Sequence, residues 1–153
     1  MSWPTGQAEI RRLLAERLLD QVTPDREGAE ALLEAAGRHL DSALVLATAD
    51  PEGAYALIYD GTRKSLAALL LTQGLRPTAA GGHRVIQDAI RAQFTAPPPR
   101  DAFRPFARMR TTRHHAEYDA MSSVDEPLVR ADHSLAVELR QVAVSLLPHL
   151  PVF

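Results

Sequence analysis

DPEGAYALIYDGTRKSLAALLLTQG, residues 50–74, decides the fold of this chain. Asp50 can close the first turn of a helix with its carboxylate, and Pro51 brings a pre-set φ to a position whose N–H has no partner inside a helix. Gly74 stands where helices commonly exit through a left-handed residue. Between them Tyr55, Ile58, Tyr59, Thr62, Leu66 and Leu69 recur at three- and four-residue steps, which puts them on one stripe of a helix. A long helix with an apolar stripe gains its stability by packing against other helices.

The same grammar extends both ways. Ile10, Leu13, Leu14, Leu18 and Val22 predict a first helix from about Thr5 to Val22. In Thr23-Pro24-Asp25, Thr23 reads as an N-cap and Pro24 as the first helical residue. That helix should run to about Ala49, carrying Ala29, Leu32, Leu33, Ala36, Leu40, Leu44 and Ala47. Leu75 to about Gly81 reads as a loop, and a short helix with Val85, Ile86, Ala89, Ile90 and Phe94 follows. Thr95-Ala96-Pro97-Pro98-Pro99 stops any helix, because successive prolines remove donors and restrict the residues before them. A helix is expected from about Arg100 to Tyr118, then a Ser/Asp-rich link from Met121 to Pro127. The last helix uses Leu135, Leu139, Val142, Ala143 and Leu146 before Pro148 ends it. No stretch alternates with period two over the length of a strand. The expected class is all-α: an antiparallel bundle of five to six helices in a single domain spanning residues 1–153, with the first helix as a candidate appended arm.

Composition narrows the function classes. The 153 residues are 46% hydrophobic and 24% charged, as in ordinary globular domains. Without cysteine there is no disulfide or thiolate metal site, and a reducing cytoplasm is the expected setting. No apolar run reaches the roughly 18–20 residues that span a bilayer, and residues 1–6 lack the basic-then-apolar layout of a secretion signal. No cofactor motif is present, and Gly81-Gly82 lacks the strand and lysine of a phosphate-binding loop. His39, His133 and His149 stand isolated, without metal-ligand spacing. The net charge of −2 argues against nucleic-acid binding by bulk electrostatics. Between Arg100 and Tyr118, however, five arginines face only Asp101 and Glu117, so this segment carries +3. A basic strip on an acidic body favours a local anion site.

Within that strip, Phe103, Phe106 and Met109 define the inward side of a regular helix. Arg110, Arg113, His114 and Glu117 prolong the same stripe, whereas Arg104, Arg108 and His115 point elsewhere. Buried ionic groups must pair, line a wet cleft or meet a partner. An Arg113–Glu117 pair with Arg110 lying along apolar surface would satisfy that need structurally. Two guanidiniums, an imidazole and the Tyr118 phenol on one narrow face also suit phosphate binding and proton transfer. His83, after two glycines at a helix start, is a structural hydrogen-bonder or an anion contact. Tyr59 belongs to the core and can still reach a cleft. Asp60 and Lys64 read as an exposed i,i+4 pair.

Over about residues 25 to 147 the chain resembles the HEPN superfamily of small helical toxins and defence proteins. Residues 59–70 look like that family's long central helix, and Gly74-Leu75-Arg76-Pro77 with Gly82-His83 resembles the loop and histidine opening its next short helix. Arg110-Thr111-Thr112-Arg113-His114-His115 matches its signature of an arginine followed after four to six residues by a histidine. The resemblance implies a homodimer whose paired signatures cleave RNA without a metal, in a toxin–antitoxin or phage-defence setting. Arg110 and Arg113 would then stabilise phosphate charge, with His114 or His115 as general acid or base. Glu117, Tyr118, Arg108, His83 and Tyr59 would help hold the RNA. Helix geometry favours His114 and motif spacing favours His115. A second register, R-x-x-R-N-x-x-E-Y, runs from Arg110 to Tyr118 with His114 in place of asparagine and Tyr118 in place of the histidine. It implies a module that binds RNA, nucleotide or a protein without cleavage. Some relatives are silenced by a nucleotidyltransferase-type antitoxin that modifies a tyrosine two residues after the histidine; here Glu117 holds that place after His115 and Tyr118 follows.

Overall fold

The computed structural model describes residues 5–119, 121 and 123–153. Along the chain come α1 (Gln7–Ala15), β1 (Leu19–Gln21), α2 (Arg26–Leu46), α3 (Pro51–Thr72), β2 (Leu75–Pro77), α4 (Gly82–Gln93), α5 (Pro99–Phe103), α6 (Pro105–Tyr118) and α7 (Glu126–Leu146), closed by a 3-10 turn at Leu147–His149. The fold is an all-α bundle, as the periodicity predicts. With α5 and α6 counted as one kinked helix, it has six helices among the described residues. No helix among those residues is long and apolar enough to cross a membrane.

The long helices begin on aspartates. Asp25 Oδ1 accepts the Gly28 N–H at 2.7 Å, Asp50 Oδ1 accepts that of Gly53 at 3.0 Å, and Asp125 Oδ1 accepts that of Leu128 at 3.0 Å. The cap of α2 is therefore Asp25 and not Thr23, and Pro24 lies outside the helix. A Cβ at Gly28 or Gly53 would run into the carboxylate that caps it, so the small residue belongs to the cap.

Two further expectations are corrected. The first helix stops at Ala15, because Arg17 takes a left-handed φ of 57° and breaks the hydrogen-bond ladder. The chain then runs extended, and Leu19–Gln21 pairs antiparallel with Leu75–Pro77. A three-residue strand is too short for an alternating pattern to register, so the periodicity predicts helix on one side of this ribbon and loop on the other. Gly74 has φ 81°, and a Cβ there would lie 2.8 Å from the Val22 carbonyl that flanks the ribbon. The second correction concerns residues 100–118, which form two helices. Pro105 has no N–H for the Asp101 carbonyl and its ring crowds that turn. Arg104 keeps helical dihedrals, so the chain kinks and does not turn back.

Helix α3 is the centre of the bundle and is buried on most of its circumference. At Gly61 the α2 helix comes close enough that a Cβ would meet Leu40 at 3.1 Å and the Ala36 carbonyl at 3.3 Å. Buried Thr62 and Ser65 return their hydroxyls to the Tyr59 and Gly61 carbonyls at 2.7 and 2.8 Å, leaving neither donor unmet. The α7 helix seals the other side. Its Arg140 donates to the Leu33 carbonyl at 2.8 Å, and His133 Nε2 lies 2.9 Å from the Leu40 carbonyl, so His133 is not isolated.

One ionic group lies inside this core. Asp132 of α7 is 2% exposed, accepts the Tyr55 hydroxyl at 2.7 Å, and receives Arg108 Nη1 and Nη2 at 2.8 and 2.7 Å. Arg108 was expected to point away from the core; its side chain instead reaches across to make a two-pronged pair. Burial and the Asp132 carboxylate both raise the Tyr55 pKa, so its hydroxyl stays protonated as the donor.

The two ends of the ion pair differ. Arg108 is half exposed and Asp132 is not. Removing the guanidinium strands a carboxylate that water cannot reach, whereas removing the carboxylate frees an arginine that can rehydrate. Arg108→Met should therefore cost about 3 kcal/mol in urea denaturation, and Asp132→Asn only about 1–2 kcal/mol. Equal costs, or the reverse order, would show that Arg108 does not neutralise a buried charge.

Candidate functional site

The chemistry-bearing side chains gather where α3, α4 and α6 meet. Arg110 Nε lies 3.3 Å from Gln87 Oε1, and Phe94 meets Phe103 edge-on with ring centres 5.4 Å apart. These contacts make α4 antiparallel to the α5–α6 segment. From α3, the Tyr59 hydroxyl lies 2.8 Å from His83 Nδ1, and its ring stacks on Phe106 at 5.6 Å, 5° from parallel. Tyr59 is thus a buried post between the core and the rim, and His83 is held by it.

The face is positive. Arg63 stands one turn beyond Tyr59 on α3, and the charges of Arg63, Arg110 and Arg113 all act on the Tyr59 phenol. Burial outweighs them and pushes the Tyr59 pKa up to about 12, so it remains neutral. His83 is lowered, first by burial and then by Arg63 and Arg110, with Asp60 opposing. At neutral pH it is therefore an uncharged imidazole with one nitrogen committed to Tyr59. Arg110 has no carboxylate partner among the described residues, and Arg113 shares Glu117 at 3.2 Å. An anion entering here meets under-neutralised guanidiniums beside a neutral base.

Behind this face, Asp60 is more engaged than the exposed Asp60–Lys64 pair expected from sequence. Arg63 Nε and Nη2 donate to its Oδ1 at 3.0 and 2.5 Å, and Lys64 donates to Oδ2. Burial works to raise the Asp60 pKa, but these hydrogen bonds and charges win and hold it below its ordinary value. Lys64 Nζ also lies 2.8 Å from His39 Nε2, so His39 is not isolated. Burial first, and the Lys64 charge second, lower the pKa of His39 and leave it a neutral acceptor.

No protein family, curated protein or solved structure matches this chain.

The residues singled out in the sequence divide between two faces. Arg110, Arg113, His83 and Tyr59 share the site above, with Arg113 half-buried. His114 lies one turn past Arg110 and is exposed, its ring 4.8 Å from that of Tyr118. Glu117 and Tyr118 are exposed as well, so the inward stripe ends at Arg113 and does not continue through His114 and Glu117 as expected. Arg108 is committed to Asp132. His115 turns to the opposite side, 3.0 Å from Asp119, where a polar hollow of about 310 Å³ also presents Thr111 and Thr112. Arg63 escaped the sequence reading although it stands four residues after Tyr59, a spacing that places it on the same helix face.

The two lowered histidines make stability depend on pH. Each has a folded pKa below its unfolded value near 6.5, so each stabilises the fold fully above that value. That contribution is lost as the pH falls below about 6.5, until the folded-state values are reached. Asp60 acts with the same sign in a lower window and loses its contribution only near and below about pH 4. The thermal midpoint should fall between about pH 7.5 and 5, and the double variant His39→Gln/His83→Gln should flatten that fall. An unchanged slope in the double variant would refute neutral histidines at these positions.

Proposed function

We propose that the protein is an HEPN-like endoribonuclease whose reacting phosphate sits on Arg63, Arg110 and Arg113. The observation that carries this reading is His83, a neutral imidazole pinned by Tyr59 near Arg110, which has no carboxylate partner among the described residues. When Nδ1–H donates to the Tyr59 oxygen, Nε2 carries no proton and can act as a base. In the proposed reaction Nε2 takes the proton of a ribose 2′-hydroxyl. The 2′ oxygen attacks the adjacent phosphorus, and the bond to the 5′ oxygen breaks. That leaving oxygen takes a proton from protonated His114, giving a 2′,3′-cyclic phosphate and a 5′-hydroxyl. The arginines stabilise charge on the phosphoryl oxygens, the part a metal plays elsewhere. In this reading two copies pair so that both faces line one cleft, and an antitoxin of the nucleotidyltransferase type is a candidate partner. Its setting is a cytoplasmic toxin–antitoxin or phage-defence system.

A second reading has its own support. His115, the histidine favoured by motif spacing, is paired with Asp119 on the far side of α6. If His114 does not serve as acid, the same arginine face binds RNA or nucleotide without turnover.

Labelled RNA incubated with the protein in EDTA separates the two. Cleavage should fall about 10²–10⁴-fold in His83→Ala and His114→Ala. It should fall about 10²–10³-fold in Arg110→Ala, and His115→Ala should retain wild-type activity. The rate should climb with pH through a limb below the ordinary histidine value, reflecting the lowered His83. Retained RNA binding without cleavage would establish the binding module, and loss of activity only in His115→Ala would place the chemistry on the other face.

A further inference from the structure

Beside the arginine face, between α4 and the kinked α5–α6 pair, lies a concave groove of about 590 Å³. Its floor is apolar: Leu66, Ile90, Phe94, Phe103 and Phe106. Its rim carries Arg91, Arg100 and Arg104. Arg100 and Arg104 share one carboxylate, Asp101, at 2.9 and 2.6 Å. Arg91, one residue past Ile90, has no partner among the described residues. Three guanidiniums against one carboxylate leave the rim at +2 on a chain whose net charge is −2.

We propose that this groove is a binding site for a small amphiphilic anion, a carboxylate on an aliphatic or aryl body. The volume lies within the roughly 300–1,000 Å³ typical of small-molecule sites. Charge complementarity sets the class. A neutral apolar ligand would leave Arg91 without a use, and a bare inorganic anion would leave five apolar side chains unfilled. The ligand's body rests on Phe94 and Phe103 while its carboxylate takes the Arg91 fork, with Gln87 on the same wall as a neutral donor. The groove wall comes from both sides of Pro105, with Phe103 before it and Phe106 and Ala107 after it. This inference does not rest on RNA cleavage and stands or falls separately from it.

The test uses octanoate, 1-octanol and octylammonium as probes, followed by amide chemical shifts and calorimetry on the full chain. Octanoate should shift Gln87, Arg91 and Ala107 and bind about ten-fold more tightly than 1-octanol, with octylammonium weakest. Arg91→Gln, an exposed change that leaves the core intact, should erase the preference for octanoate over octanol. Ala107→Trp, which fills the groove from its wall, should abolish binding of both. Equal binding of the three probes, shifts confined to another surface, or an unchanged preference in Arg91→Gln would each overturn the proposal. Saturation of the groove by a second copy of the chain, seen as concentration-dependent dimerisation blocked by Ala107→Trp, would overturn it too.

Discussion

A carboxylate with almost no access to water is expensive to keep, at several kcal/mol even after the surroundings relax. Asp132 is such a group, and three helices are arranged so that it is not left alone. Helix α3 supplies the Tyr55 hydroxyl and α6 the Arg108 fork, while α7 carries the acid itself. The two-pronged Arg108 pair ties one side of α6 to α7, while buried Phe106 and Met109 seat its inner side in the core. Arg110 lies about 200° round the helix from Arg108, so anchoring one side aims the other at α3 and α4. The guanidiniums of the candidate site are thereby set by a bond on the opposite face of their helix.

The charge left over on that face follows from where the carboxylates are spent. Asp60 is committed to Arg63 and Lys64, Asp132 to Arg108, and Asp101 to Arg100 and Arg104. Glu117 reaches only Arg113. Arg110 is what remains, beside His83, whose pKa is lowered by partial desolvation against Tyr59 and by its cationic neighbours. A chain that is acidic as a whole can therefore hold a local anion site, and the compactness of that positive region suits one phosphate better than a long backbone contact.

The helical class was legible because caps and periodicity agree. Asp50-Pro51, the 55–69 stripe and the triple proline each say helix or helix end without reference to the rest of the chain. What escaped was whatever depends on reach or on a distant partner. The β ribbon is three residues per strand, set by a pairing between Leu19–Gln21 and Leu75–Pro77 that no local pattern announces. A helical wheel assigns a residue by its Cα direction, and Arg108 has a side chain long enough to escape that assignment. The site was half legible. Arg110, Arg113, Tyr59 and His83 were named from type and position, but their meeting was not, because it requires the antiparallel register of α4 on α6. His115 illustrates the converse, since a matching motif spacing put together residues that a 100° step per residue sets apart.

That register also explains why a charged face and an apolar groove share one seam. Along the side it turns to the α5–α6 segment, α4 carries His83 and Gln87 early and Ile90 late, with Phe94 just past its end. The α5–α6 segment reverses the order, with Phe103 and Phe106 first and Arg110 and Arg113 after. Antiparallel packing sets Gln87 against Arg110 and Phe94 against Phe103, polar with polar and ring with ring. Parallel packing of the same two segments would bury arginines against Ile90 and Phe94, at the cost of desolvating charge without a partner. The segregation of polarity along each helix thus selects the direction of packing, and the direction of packing creates two chemically different recesses with Gln87 at the boundary between them.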